Sequence, residues 1–340
     1  MTGPDAQSRA ATGRQPLLEV NDLVVRIGGA ESQISAVRGV TFSVERGETL
    51  CIVGESGCGK SLTALAMMRL LPPGTRLEAT RMRFQGVDLL KASAASLRDM
   101  RGRDIGMIFQ DPMTSLNPLY TVGEQLTETY MRHRSGKARE ARERAEYLLG
   151  KVGITNAAER MLQYPHQLSG GLRQRVLIAM ALMCGPKMVI ADEPTTALDV
   201  TIQIQVLVLL RQIQRELDLA LVLITHDLGV VARFADRVAV MYAGQVVEAG
   251  VVDDVFRNPQ HPYTRGLLEC LPGPRHANAP QRLVSIPGSV PGPRELDAGC
   301  SFRNRCPLVT ERCSLPVPLF EGAAGRQARC IHAALERMPA

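Results

Sequence analysis

The sequence has no tryptophan, and aromatic residues make up only 4% of its 340 positions. Lysine is nearly as scarce: of 40 basic residues only five are lysine, at Lys60, Lys91, Lys137, Lys151 and Lys187. A surface that grips single-stranded nucleic acid needs aromatic rings beside its cations. The net charge of +6 therefore reads as an arginine-rich solvated surface, not as a nucleic-acid footprint. Nine Arg against five acidic residues from Gly273 onward carry +4 of that charge, but they are scattered. No apolar run approaches the ~18 residues needed to cross a bilayer. Residues Met1–Gln15 are polar and lack the apolar core of a secretion signal. These absences point to a cytosolic protein that reaches a membrane only through a partner. Hydrophobic residues at 45% and charged residues at 22% are ordinary for a globular chain, and the length suggests about two domains.

What the sequence does hold is GESGCGKS, residues Gly54, Glu55, Ser56, Gly57, Cys58, Gly59, Lys60 and Ser61. An apolar run, Thr49 to Val53, precedes it, and an apolar helix-forming stretch, Leu62 to Leu71, follows. Strand, glycine loop and helix start are the context of a phosphate-binding loop. The glycines let backbone N–H groups point inward around phosphate oxygens at a helix N-terminus. Lys60 can reach the β and γ phosphates, and the Ser61 hydroxyl can ligate Mg²⁺. Cys58, inside this loop, is a candidate for oxidation, whereas Cys51, Cys184 and Cys270 read as small core residues.

Along the chain, strands are expected at 17–25, 36–44, 49–53, 105–109, 188–191 and 221–224, with short hairpins at 82–88 and 237–248. Helical spacing covers 122–133, 138–152, 170–183 and 201–217, the second with a charged outer face. Alternating strands and helices argue for an α/β core with a largely parallel sheet, into which a helical block is inserted. Past Gln260 the chain becomes rich in turns, at Pro272–Arg275 and Pro287–Pro293. The small C-terminal stretch looks too poor in apolar residues to fold without a staple.

Two further motifs carry chemistry. Met188-Val-Ile-Ala-Asp192-Glu193 is an apolar strand ending in two acids. The first carboxylate can hold Mg²⁺ through its water shell, and the second can orient or deprotonate an attacking water. Leu168, Ser169, Gly170 and Gly171 open a helix, making a second phosphate-binding surface apart from the first. One nucleotide has one γ phosphate, so two such surfaces in one chain need a reason. The pair resembles the ATP-binding cassette (ABC) ATPase family, in which this Leu-Ser-Gly-Gly helix caps the nucleotide on a second subunit.

The resemblance covers roughly Leu17 to Val255. It implies a P-loop, RecA-like fold over 17–255 with a helical subdomain at about 113–184, after a disordered tail at 1–16. Gln110 resembles the family's Q-loop glutamine, which contacts Mg²⁺ and the nucleophilic water. Asp199, in Ala197-Leu198-Asp199, resembles its D-loop, and His226 resembles its switch histidine. The catalytic set implied is Glu193, His226 and Gln110, with Mg²⁺ held by Ser61, Gln110 and Asp192. One departure stands out: the family's adenine-stacking aromatic is replaced by Ile27.

Finer detail narrows the resemblance. FQDPMTSLNP at 109–118, ADEPTTALDVT at 191–201 and NPQHPYTRGLL at 258–268 are similar to the ATPase subunits of dipeptide and oligopeptide importers, with nickel importers close by. That implies a second cassette subunit, two permease subunits, an extracytoplasmic solute-binding protein, no nucleic acid, and a peripheral position on the cytoplasmic face of the membrane. The alternatives are a soluble, non-transport cassette ATPase or an importer of nickel or another small solute. The family's C-terminal extension, here 256–340, contains Cys300, Cys306, Cys313 and Cys330, half of the eight cysteines in the last 41 residues. In a reducing compartment such clustering suggests a metal. Four thiolates suit zinc or an iron–sulfur cluster, and unmetallated thiols remain open. The resemblance implies a 4Fe–4S cluster.

Overall fold

The computed structural model describes residues 15–29, 33–134, 136–196, 198–271 and 285–333. The N-terminal tail up to residue 14, Ala197 and the turn at Pro272–Arg275 lie outside the described residues. The chain begins with strands β1 (Leu18–Ile27), β2 (Ile34–Val44) and β3 (Thr49–Val53), then helix α1 (Lys60–Met67). Short strands β4 (Thr75–Glu78), β5 (Arg81–Phe84) and β6 (Val87–Asp88) lead to α2 (Ala94–Arg103) and β7 (Ile105–Ile108). A helical block follows: α3 (Pro112–Ser115), α4 (Val122–His133), α5 (Ala138–Lys151), α6 (Ala157–Arg160) and α7 (Gly170–Leu182). The core resumes with β8 (Met188–Asp192), α8 (Val200–Glu216), β9 (Ala220–Thr225), α9 (Leu228–Phe234), β10 (Arg237–Tyr242) and β11 (Gln245–Val251). Helices α10 (Val252–Arg257) and α11 (Pro262–Glu269) and the two-residue strands β12 (Phe320–Glu321) and β13 (Gln327–Ala328) complete the set.

Two sheets result. The larger runs β12-β13-β11-β10-β3-β9-β8-β7, parallel from β10 through β7. The smaller, β2-β1-β5-β6 with β4 also on β1, is antiparallel. The expected parallel sheet thus describes five of these eight strands, β10 through β7. The first strands instead form a sheet of their own, because short connections can join antiparallel neighbours but not parallel ones.

Strands β3, β8 and β9 are buried along their whole length, as strands covered on both faces must be. Their alternate residues feed two cores. Cys51, Val53, Val189, Ala191, Leu221 and Leu223 face the helices. Leu50, Ile52, Met188, Ile190, Val222 and Ile224 face the antiparallel sheet and α1. In the helical block, Thr121 and Glu124 form a reciprocal capping box that starts α4. The charged face of α5 carries Arg139–Glu143 and Arg142–Glu146 pairs one turn apart.

The C-terminal stretch, too poor in apolar residues to stand alone, leans on the main core. Strand β13 adds to the sheet edge at β11. Phe302, only 2% exposed, packs edge-on against Tyr242 with ring centres 5.2 Å apart and lies 5.4 Å from the Tyr263 ring. The main core therefore supplies apolar support that this stretch lacks alone. Truncating Phe302→Ala should cost about 3–5 kcal/mol, read as a lower denaturant midpoint with early tryptic cleavage within 285–333. A stability loss below about 0.5 kcal/mol, the level of an ordinary surface change, would show that the aromatic contact is dispensable.

Candidate functional site

Strand β3 ends at Val53, and the chain then curls through Gly54–Gly59 into α1. Two glycines are required by space, and the second by conformation too. A Cβ on Gly54 would stand 2.2 Å from the Met241 carbonyl oxygen, and one on Gly59, whose φ is +99°, would stand 2.7 Å from the Ala36 carbonyl oxygen. Lys60 is buried, and its Nζ donates to the carbonyls of Gly54 at 2.8 Å and Glu55 at 3.0 Å. The Ser61 hydroxyl donates to Asp192 Oδ1 at 3.1 Å. The loop serine and the first acid of β8 thus meet where a Mg²⁺ shared between them would sit.

The next acid gathers the rest. Glu193 has a left-handed backbone, φ +46°, unusual for a residue with a side chain. Its N–H is held by the Ile224 carbonyl at 3.0 Å. Its Oε2 accepts from Thr196 Oγ1 at 2.8 Å and from Gln110 Nε2 at 3.3 Å, and lies 3.4 Å from His226 Nδ1. Gln110 follows β7, Thr196 follows β8 and His226 follows β9, so three adjacent strand ends converge on one carboxylate. Thr196 was not singled out from the sequence. Its spacing three residues after Glu193, typical of a hydroxyl that closes a turn, was the available signal.

The remaining motif residues stand apart from this centre. Ser169 N-caps α7, accepting from the Leu172 N–H, and Asp199 N-caps α8, accepting from the Ile202 N–H. Gly170 and Gly171 pack toward Leu198 and Ile202, respectively. Among the described residues, no hydrogen bond or ion pair joins Leu168–Gly171 to Gly54–Ser61. Ile27, standing where an adenine-stacking ring was expected, is 39% exposed at the end of β1.

Cys58 does not fit its expected role. It is buried, and burial raises its thiol pKa despite the opposing pull of Lys60. Oxidation needs an accessible thiolate, so this thiol is a core residue beneath the loop. Cys300, Cys306, Cys313 and Cys330 line one cavity together with His261 and Phe302. Burial, reinforced by the neighbouring thiols, raises the Cys300 pKa. Among the described residues, no group of three or more His, Cys, Asp or Glu side chains stands in an arrangement that holds a metal ion. Two residues unnoticed in the sequence reach the phosphate loop from the C-terminal stretch: the Tyr263 hydroxyl and the Arg305 guanidinium both meet Glu55.

A glycine loop on β3, paired acids after β8 and a histidine after β9, with a helical block between, define an ATP-binding cassette. The "ABC transporter" family matches residues 37–196 and the "oligopeptide/dipeptide transporter, C-terminal region" family matches residues 247–313. The dipeptide transport ATP-binding protein DppD of Escherichia coli is 49% identical over 315 residues, 92% of this chain and 96% of that protein. Its namesake from Bacillus subtilis is 51% identical over 305 residues, 89% and 90% of the two chains. A dimeric ATP-binding cassette in a post-hydrolysis state with ADP and Pi superposes with a TM-score of 0.62 at 28% identity, covering 69% of this chain and 98% of that one. The chain belongs to the ABC transporter family, in its dipeptide and oligopeptide branch. Among the described residues no helix is long and apolar enough to cross a membrane.

Burial is the largest influence on Asp192 and raises its pKa; Glu193 adds to this, while Ser61 and Lys60 oppose it. An acid whose pKa is higher folded than unfolded costs stability as pH rises from about 4 through its folded pKa. Above that range the cost is constant. In the nucleotide-free protein, Asp192→Asn should raise the unfolding midpoint at neutral pH by roughly 1–3 °C, with the gain vanishing below about pH 4. Mg-ATP should reverse the ranking, since only the carboxylate draws in the cation. A destabilised Asn variant at pH 7 would contradict this account.

Proposed function

We propose that this chain is the ATP-hydrolysing subunit of a peptide importer, working at the cytoplasmic face of the membrane. The names of its relatives support the substrate class. The observation that carries the chemistry is the gathering of Gln110, Thr196 and His226 on Glu193, beside the Ser61–Asp192 pair. On this reading residues 17–255 are the cassette, with a helical subdomain at about 113–184, and 256–340 are the transporter-specific extension.

Phosphoryl transfer asks the protein mainly for positioning and charge. Lys60 releases the Gly54 and Glu55 carbonyls and turns to the β and γ phosphates, while the loop amides hold phosphate oxygens. Ser61, Asp192 and Gln110 would hold Mg²⁺, which would supply charge screening for the phosphates. Glu193 accepts a proton from the attacking water, and His226 contacts the γ phosphate. Leu168–Gly171 completes the site of a second cassette, whether a copy or a paralogue, and Asp199 lies on the same face. The helical block and Gln110 pass the motion to two permease subunits, which a solute-binding protein loads from outside. The head-to-tail dimer is supported by the separation of the two motifs: among the described residues, no hydrogen bond or ion pair joins Leu168–Gly171 to Gly54–Ser61.

Glu193→Gln removes the base and leaves the binding groups. It should lower hydrolysis by at least about 100-fold and accumulate an ATP-bound dimer, seen as a shift in size-exclusion elution. Adding Ser169→Arg should abolish that dimer. Turnover by Glu193→Gln at the wild-type rate would refute the assignment.

The same reading extends to the four C-terminal cysteines as ligands of a 4Fe–4S cluster. They suit it by donor type, since four thiolates bind iron–sulfur centres or zinc. All four line one cavity. Anaerobically purified protein should be brown, with a broad absorption near ~400 nm and about four iron atoms per chain. Colourless protein carrying one zinc would overturn the cluster.

A further inference from the structure

Glu55 is the second residue of the phosphate loop, yet its side chain points away from Lys60 and Ser61, toward the C-terminal stretch. Three groups hold it. Its carbonyl accepts from Lys60 Nζ at 3.0 Å. Its N–H donates to the Tyr263 hydroxyl at 3.1 Å. Its carboxylate accepts from Arg305 Nη1, at 3.1 Å to Oε1 and 3.0 Å to Oε2. The last two partners lie 208 and 250 residues away in sequence.

Arg305 is built in with unusual care. Its side chain is only 6% exposed. Nε donates to the Pro287 carbonyl at 2.9 Å, Nη2 to the Ile286 carbonyl at 3.3 Å, and Nη1 also to the Tyr242 hydroxyl at 3.3 Å. The guanidinium lies 5.7 Å above the Tyr242 ring and 5.9 Å above the Phe302 ring. A fork whose three nitrogens all donate, lying near two rings, is fixed in place. The next residue is Cys306, and Phe302 is itself part of the cysteine-lined cavity. One aromatic cluster, Tyr242–Tyr263–Phe302, thus joins the wall of that cavity to both groups that hold Glu55.

We propose that Arg305 and Tyr263 are positioning residues for ATP binding: through Glu55 they hold the phosphate loop in its receiving shape, and they tie that shape to the packing around the cysteine cavity. Lys60 must let go of the Glu55 carbonyl when phosphate arrives. Pinning the same residue by its N–H and its carboxylate keeps the carbonyl and the following amides from moving with it. Anything that unpacks the Cys300–Cys330 region withdraws both pins together. This proposal rests on the ATP-site reading above, and its test separates the two.

The test uses the full-length protein and a fluorescent ATP analogue with Mg²⁺ at fixed salt. Arg305→Met should weaken binding about tenfold, the scale of a partly buried charge-assisted bond. It should raise KM by the same factor while kcat at saturating ATP stays within about twofold, because the hydrolytic groups around Glu193 are untouched. Arg305→Lys should fall between, keeping the cation and losing the fork. Glu55→Gln should weaken binding similarly, and the Arg305→Met/Glu55→Gln double variant should bind no worse than the weaker single variant, as partners in one interaction do. Tyr263→Phe deletes a single oxygen and should cost about threefold; it carries the test should Arg305→Met fail to fold. Wild-type affinity in Arg305→Met or Tyr263→Phe, or fully additive losses in the double variant, would overturn the clamp. Unweakened binding in Lys60→Ala would instead overturn the ATP-site reading itself.

Discussion

The site depends on the register of three parallel strands. Val53 of β3 lies opposite Thr225 of β9, and Ile224 of β9 lies opposite Asp192 of β8. That alignment brings Gly54, Glu193 and His226 to one edge of the sheet at one height. Because successive side chains point to opposite faces, a slip of one residue would turn every one of them over. Hydrophobicity alone does not prevent the slip, since all three strands are buried on both faces and read as continuous apolar runs. At the opposite end, polar groups tie β3 to the start of β10 and to α8. Asp236, just before β10, accepts from the Thr49 N–H at 2.8 Å and pairs with Arg211 of α8 at 2.9 Å. Arg211 also donates to the Thr49 hydroxyl at 2.9 Å. Slippage of β3 would leave these groups unpaired, which costs more than the bonds themselves contribute. The non-reactive end of β3 therefore helps to fix where the phosphate loop begins.

This division explains what could be read from the sequence. The phosphate loop, the paired acids of β8 and the start of α4 are local: each needs residues a few positions apart, and glycine, acid and capping signals report them directly. The helical block was legible for the same reason, its 3.6-residue spacing being unbroken from Val122 to His133 and within α5. The strands at 17–25 and 36–44 and the hairpin at 82–88 were legible too, but not that they form a sheet of their own. Register shifts interrupt β1 near Asn21 and Asp22, and β4 is too short for a periodic signal. Helices α2 and α9 were missed as well. The first includes a break at Arg101 and Gly102, and the second is only seven residues long. Cys58 was misjudged because sequence position says that it lies in the loop, not that it points beneath it. The attachment of the C-terminal stretch depends on contacts such as Phe302 with Tyr242 and β13 with β11, and the reach of Tyr263 and Arg305 to Glu55 spans 208 and 250 residues, which no local pattern encodes.

Glu193 shows how the proposed chemistry and the fold constrain one another. A residue with a side chain in the left-handed region is strained, typically by about 1–3 kcal/mol, and it persists where its surroundings over-determine it. Here β8 has just ended, the N–H is tied to Ile224, and the carboxylate is tied to its own turn through Thr196. These two constraints belong to neighbouring strands and move only with the core. The Gln110 contact differs. It is longer, 3.3 Å, and Gln110 itself is exposed at the start of the helical block. Gln110 and His226, both exposed and 3.3 and 3.4 Å from the carboxylate, are held more loosely than Thr196 at 2.8 Å. Of these two only Gln110 adjoins the helical block. If that block faces a permease, as proposed, a displacement there reaches the hydrolytic centre through the Gln110 contact, leaving the strained backbone and the phosphate loop in place.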